Sequence, residues 1–138
     1  MSNFKKGFLI FLVGVLLVTL LDSLGAIASR NLDFKYSNLA AVSTLLYLII
    51  AFLITKNTDK KTGVFFAGLL GLFDATIGWK ISMLLKANVG NSKTEISSVV
   101  WIIMAIFMTI FASIIGLIGA WAATLIYKVK HKPLISIK

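Results

Sequence analysis

The sequence predicts an all-α polytopic membrane protein: one antiparallel bundle of four transmembrane helices, with a faint two-fold internal repeat. Three observations predict it. Apolar residues make up 59% of the 138 residues and charged residues 14%, against ~45–50% and ~25% in soluble domains. The 14 cations are gathered into short clusters, and four long apolar stretches lie between the clusters. None of those stretches alternates polar and apolar residues over ~10 positions, as the strands of a membrane barrel do.

A helix needs ~20 apolar residues to cross the hydrocarbon core, and in lipid every backbone polar group must bond within its own segment. The first stretch that qualifies is Gly7–Ser29, behind Lys5 and Lys6. The same residues also fit a signal peptide: two lysines, an apolar run from Phe8 to Leu21, then Ala26-Ile27-Ala28 as a cleavage signal. The apolar character continues past Asp22 to Ala28, which favours a span. The second stretch is Ser37–Thr55, bracketed by Tyr36 and Lys56 as interfacial anchors. The third is Thr62–Leu85, which follows Lys60 and Lys61 and carries Trp79 and Lys80 near its outer end. The fourth is Ser97–Tyr127, where Trp101 and Trp121 stand 20 residues apart, or ~30 Å of helix, one at each interface. Trp79, Trp101 and Trp121 read as belt anchors rather than ligand platforms.

The connections Arg30–Tyr36, Lys56–Lys61 and Lys86–Ile96 are short, so consecutive helices must run in opposite directions and pack together. Ser92, or Thr94 before Glu95, is placed to start the fourth helix. Counting loop cations gives the orientation. Lys5, Lys6, Lys56, Lys60, Lys61, Lys128, Lys130, Lys132 and Lys138 fall on one side, and Arg30, Lys35, Lys80, Lys86 and Lys93 on the other. The richer side is expected to be cytoplasmic, with both termini inside and residues 128–138 as a basic tail near anionic headgroups. The cations are dispersed over termini and loops, so nucleic-acid binding is not expected.

Several chemistries are absent from the sequence. There is no Cys, and the single His, His131, sits in the basic tail. No thiolate, His-cluster metal site, catalytic triad or phosphate-cradling glycine loop can be assembled, so neither an enzyme nor a metal or other cofactor is expected.

The informative residues are Asp22 and Asp74. An acid inside a span costs ~2.5–3.5 kcal/mol on insertion scales and is normally retained for a reason. Asp22 is 16 residues past Lys6 and Asp74 is 13 past Lys61, which places both in the outer half at about 20–24 Å along their helices. Ser43, Thr44 and Thr109 fall at the same level in the descending helices, and Tyr47 about one turn deeper. Ala67, Gly71, Asp74, Gly78 and Ser82 share one stripe of the third helix. Ala112, Gly116, Ala120 and Thr124 form a second stripe on the fourth. Small-residue stripes mark close helix contact, within one chain or between copies, and turn Asp74 toward the bundle.

Two readings of the acids stay open. In one, they accept hydrogen bonds from Ser, Thr or Tyr, or pair with Lys80 or Arg30, and hold the bundle in register. In the other, Asp22, Asp74, Ser43, Thr44, Tyr47 and Thr109 form a polar site or ion path. Two like charges close together disfavour double ionisation, which suits proton coupling. The repeat rests on Leu20-Leu21-Asp22-Ser23 beside Leu72-Phe73-Asp74-Ala75.

The runs Leu21-Asp22-Ser23-Leu24, Asn31-Leu32-Asp33-Phe34-Lys35-Tyr36-Ser37 and Phe73-Asp74-Ala75-Thr76-Ile77-Gly78-Trp79 resemble a group of small four-helix bacterial membrane proteins of unknown function. The resemblance covers helices one to three and implies a fold without an activity. Phe11-Leu12-Val13-Gly14, Asp22 and Ala51-Phe52-Leu53 are similar to the GtrA-like family, four-helix proteins associated with flipping polyprenyl-phosphate sugars. The chain departs from that family where Ile54-Thr55-Lys56-Asn57-Thr58 replaces an aromatic-rich ending.

The expectation is therefore a bacterial cytoplasmic-membrane protein embedded in the lipid bilayer. It is read first as a non-catalytic packing or assembly protein, a homo-oligomer or the companion of a membrane partner. The alternative is a small transporter, flippase or ion channel working through Asp22 and Asp74.

Overall fold

The computed structural model describes residues 3–89 and 97–130, with side chains described through Tyr127. Lys93, Glu95 and the tail residues His131, Lys132 and Lys138 lie outside them, as do Ser92 and Thr94. The described residues are helical apart from short connections, with no strand. Four helices are long and apolar enough to cross a membrane: Asn3–Asn31, Tyr36–Asn57, Lys60–Leu84 and Ser98–Tyr127.

The elements follow the apolar stretches closely. Helix α1 runs Asn3–Asn31, a 3₁₀ turn covers Tyr36–Leu39, and α2 runs Ala40–Asn57. The third span is composite: α3 covers Lys60–Phe73, a π-helical turn covers Asp74–Gly78, and α4 covers Trp79–Leu84. Helix α5 runs Ser98–Lys130. The expected third span is present over Lys60–Leu84 and carries the π turn within it. Ser92 and Thr94, read as possible starts of the fourth helix, lie outside the described residues; within them Ser97 precedes α5, and the Val100 N–H donates to the Ser97 hydroxyl at 3.4 Å.

Inside the π turn the Thr76 hydroxyl donates back to the Leu72 carbonyl at 2.6 Å and lies 3.3 Å from the Phe73 carbonyl. Thr44 and Thr109 make the same bond in regular helix, so the hydroxyl does not by itself account for the turn. The widened turn admits one extra residue, and it does so at the acidic block.

Glycine and alanine set how closely the helices approach. A methyl group placed on Gly71 would strike Ala112 Cβ and stand 2.7 Å from the Met108 carbonyl oxygen. A methyl on Gly116 would strike Ala67 Cβ. The stripes of the third and fourth spans therefore meet each other inside one chain, with numbers falling on α5 as they rise on α3. Gly68 against Ser113, Gly63 against Thr55 and Gly119 against the Leu48 backbone extend these close approaches beyond the two stripes. Helix α1 is in contact through Gly7, which faces Ile54 and Phe66, and Gly14, which faces Ile50 and Leu70. The core between them is Val18, Tyr47, Ile50, Ile54, Phe66, Leu70 and Ala112. The remaining apolar side chains, from Leu9 and Leu16 on α1 to Ile106 and Leu117 on α5, are exposed and suit hydrocarbon.

The ends are fastened by specific bonds. Asp59 caps α3: its carboxylate accepts from the Thr62 N–H at 2.9 Å and the Thr62 hydroxyl at 2.7 Å. Those two bonds, the hydroxyl first, hold the Asp59 carboxyl below the usual carboxylate range. At the other end, residues 87–89 lie across the first connection. The Asn88 N–H donates to the Ser29 hydroxyl at 3.0 Å, and the Asn88 carbonyl accepts from the Tyr36 N–H at 2.8 Å. Asp33 and Lys86 turn the chain there with φ of 52° and 57°.

Two outcomes are expected. Gly71→Val should lower thermal stability by about 1–3 kcal/mol through overpacking against backbone. Gly7→Ala should do much less, because its nearest neighbours are side-chain tips at 3.1–3.3 Å. Thermal unfolding in detergent compares the two. Asp59→Ala should cost about 1 kcal/mol at neutral pH through loss of the cap. A carboxyl held below its unfolded value contributes stability above that value and loses it as pH falls. The gap between wild type and Asp59→Ala should therefore close in acid, measured as unfolding midpoints across pH.

Candidate intramembrane site

The π turn and α1 together bring the two acids to one place. Asp22 is 2% exposed on α1. Gly78, at the end of the π turn, has no side chain, and the Asp22 carboxylate occupies the space one would need. The point where a Gly78 Cβ would stand is 2.9 Å from Asp74 Oδ1 and closer still to Asp22 Oδ2. The two oxygens are therefore at most twice 2.9 Å apart. Two carboxyl groups flank one glycine in the membrane interior.

Each acid is held by a phenol. Tyr36 donates to Asp22 Oδ1 at 2.6 Å, and Tyr47, fully buried on α2, donates to Asp74 Oδ2. The Ser82 hydroxyl donates to the Tyr36 oxygen at 2.7 Å, so a chain of hydroxyls runs from α4 through Tyr36 to α1. Asp22 Oδ2 takes no hydrogen bond from a hydroxyl or N–H, and its neighbour across Gly78 is Asp74 Oδ1, so a single proton on the pair would bridge the two carboxyls.

The acids open onto a cavity of ≈370 Å³ between α2, the π turn and α5. Asp22, Tyr36, Ser43, Thr44, Tyr47 and Asp74 supply its polar wall; Trp79, Trp101, Met104, Phe107, Met108 and Phe111 supply most of the rest. A mainly apolar pocket with a few convergent polar groups is the usual form of a small-molecule site.

The residues singled out in the sequence fall as follows. Asp22, Asp74 and Tyr47 are joined by position and bonding, and Ser43 and Thr44 reach the cavity wall. The Thr44 hydroxyl is turned to the Ala40 carbonyl at 2.8 Å. Thr109 is corrected: it donates to the Ala105 carbonyl at 2.7 Å and lies on a separate surface groove with Leu72 and Ile106. Its depth suits the site, but its side of the helix does not. The cations offered as partners for the acids are engaged elsewhere: Lys80 Nζ lies 5.2 Å from the Trp101 ring centre, and Arg30 donates to the Leu85 carbonyl at 3.4 Å. Trp79 and Trp101 line the cavity, while Trp121 is 57% exposed. Tyr36 was read as an anchor and Ser82 as a packing residue, and both belong to the hydrogen-bond chain. The signal for Tyr36 was its place fourteen residues after Asp22 across a short connection, which brings the head of one helix back over the end of the other.

No family model, curated protein or solved structure matches this chain.

Hydrophobic carbodiimides attack protonated carboxyls in apolar surroundings. Treating native membranes with one at neutral pH should place an adduct on Asp22 or Asp74, mapped by mass spectrometry. The adduct should be lost in the double variant Asp22→Asn, Asp74→Asn, and adducts on Asp33 or Asp59 alone would contradict a proton-bearing intramembrane pair.

Proposed function

We propose that the chain is a small proton-linked transporter of the cytoplasmic membrane, with the Asp22–Asp74 pair as its charged site. The observation that carries this reading is the approach of Asp22 Oδ2 and Asp74 Oδ1 across Gly78, beside a solute-sized cavity whose wall includes both residues. Two carboxyls so close disfavour double ionisation, so the pair is suited to take up and release a proton. The orientation follows from the loop cations, with Lys5, Lys6, Lys56, Lys60 and Lys61 cytoplasmic and Arg30, Lys35, Lys80 and Lys86 outside. The acids then lie nearer the outer face.

The competing reading as an assembly protein drew on the small-residue stripes. Those stripes are used inside the chain, Gly71 against Ala112 and Gly116 against Ala67, so they no longer call for a second copy. The site is read as binding and moving a solute without covalent chemistry.

The test is flux. Liposomes holding the wild-type chain, with a mixture of small amines, sugars and amino acids outside, should dissipate an imposed pH gradient about tenfold or more faster than protein-free liposomes. Asp22→Asn or Asp74→Asn should return the rate to that baseline while the circular dichroism and elution volume stay unchanged. Equal rates for wild type and both variants would remove the transport reading and leave the acids a structural role.

A further inference from the structure

The charges facing the cavity are unbalanced, and that imbalance defines what enters it. Asp22 comes from α1 and Asp74 from the π turn; the titratable groups facing them are Tyr36 from the 3₁₀ turn and Tyr47 from α2, both donating. Helix α5 contributes Trp101, Met104, Phe107 and Met108 to the wall, none of which titrates. Lys80 and Arg30 are the nearest cations in sequence, and they contact the Trp101 ring and the Leu85 carbonyl. Among the described residues no cation lines the cavity, and two carboxyls so placed in low dielectric must be neutralised by protons or by a positive ligand.

We infer that the cavity takes a monovalent organic cation with an apolar body, whose charge lies against Asp22 and Asp74, and that protons compete with it for the same oxygens. This rests on the binding site proposed above and names its ligand class. Three features select that class. A metal ion of the calcium or magnesium type needs about six oxygen ligands or retained waters, and the wall here is mostly aromatic and thioether. Trp79, Trp101 and Phe107 line the wall, and aromatic rings favour alkylammonium groups over compact hydrated ions. The ≈370 Å³ volume admits a ligand of roughly ten heavy atoms, at the small end of ordinary pockets. Asp74, half-buried and on the cavity wall, supplies the acceptor that such a ligand would meet, with the Asp22 carboxyl behind it across Gly78.

Competition fixes the sign of the pH effect. A proton on Asp22 Oδ2 or Asp74 Oδ1 removes the negative charge that the cation needs, so acid must weaken cation binding. Inward protons and outward cations could then alternate at one site, each releasing the other.

The probe is benzyltrimethylammonium, whose charge does not change with pH. Its neutral isostere, neopentylbenzene, has the same shape. The full chain in lipid nanodiscs is titrated with each, and intrinsic tryptophan fluorescence is read, because Trp79 and Trp101 line the cavity. The cation should bind saturably and about tenfold or more tighter near pH 8 than near pH 5. The isostere should bind more weakly and without pH dependence. Asp74→Asn should weaken the cation by at least about tenfold, and Trp121→Phe should leave the fractional response intact. If the Asn variant fails to fold, the wild-type comparison of the two probes across pH stands alone. Equal binding of both probes, or cation binding indifferent to pH, overturns the inference. Flux that depends on the acids without a preference for the cation would overturn the ligand class and leave the transport reading standing. Cation binding without flux would do the reverse.

Discussion

The structure depends on how two carboxyl groups are accommodated where water is scarce. An acid in a span costs several kcal/mol unless it is bonded or neutralised. Here the cost is met by geometry drawn from three spans. Gly78 withdraws a side chain so that Asp22 can approach. Tyr36 and Tyr47 each supply a phenol to one acid. The third span widens into a π turn at the acidic block. Remove any one of these and a carboxyl would face hydrocarbon or a neighbouring backbone. The segment 87–89 serves the same end, because Asn88 holds the Tyr36 backbone from which the phenol reaches Asp22.

The rest of the bundle is arranged by close contact rather than by polar bonding. Lipid tails are as apolar as leucine, so apolar burial gives little reason for helices to associate in a membrane. Backbone proximity at Gly71, Gly116, Gly63 and Gly119 replaces it, with dispersion contacts over a broad seam between α3 and α5. The division of labour is clear along the third span: its N-terminal half is mainly apolar with glycines at the close contacts, and its C-terminal half carries the acid, Trp79 and Ser82.

Much of this was legible in the sequence, and the limits have physical causes. The four spans were visible because hydrocarbon imposes a length and a composition on every crossing segment. The shared level of Asp22 and Asp74 was visible because an α-helix rises a fixed distance per residue. Depth alone does not give the direction a side chain points, which is why Thr109 was drawn to the site and lies off it. The π turn was hidden because Asp-Ala-Thr-Ile-Gly has no composition that a straight helix would refuse. Tyr36 was hidden for another reason. A tyrosine at the head of a span is normally an interfacial anchor, and its reach back to α1 depends on how residues 87–89 pin the connection.

The inserted residue at Asp74–Gly78 also changes what one crossing segment can do. A regular helix advances about 100° per residue and keeps a single phase from end to end. One added residue resets that phase midway. Below the turn the glycine edge of the span meets α5; above it, Gly78 and Ser82 look toward Asp22 and Tyr36. Two partners on different sides are thereby served by a single rod with a built-in offset.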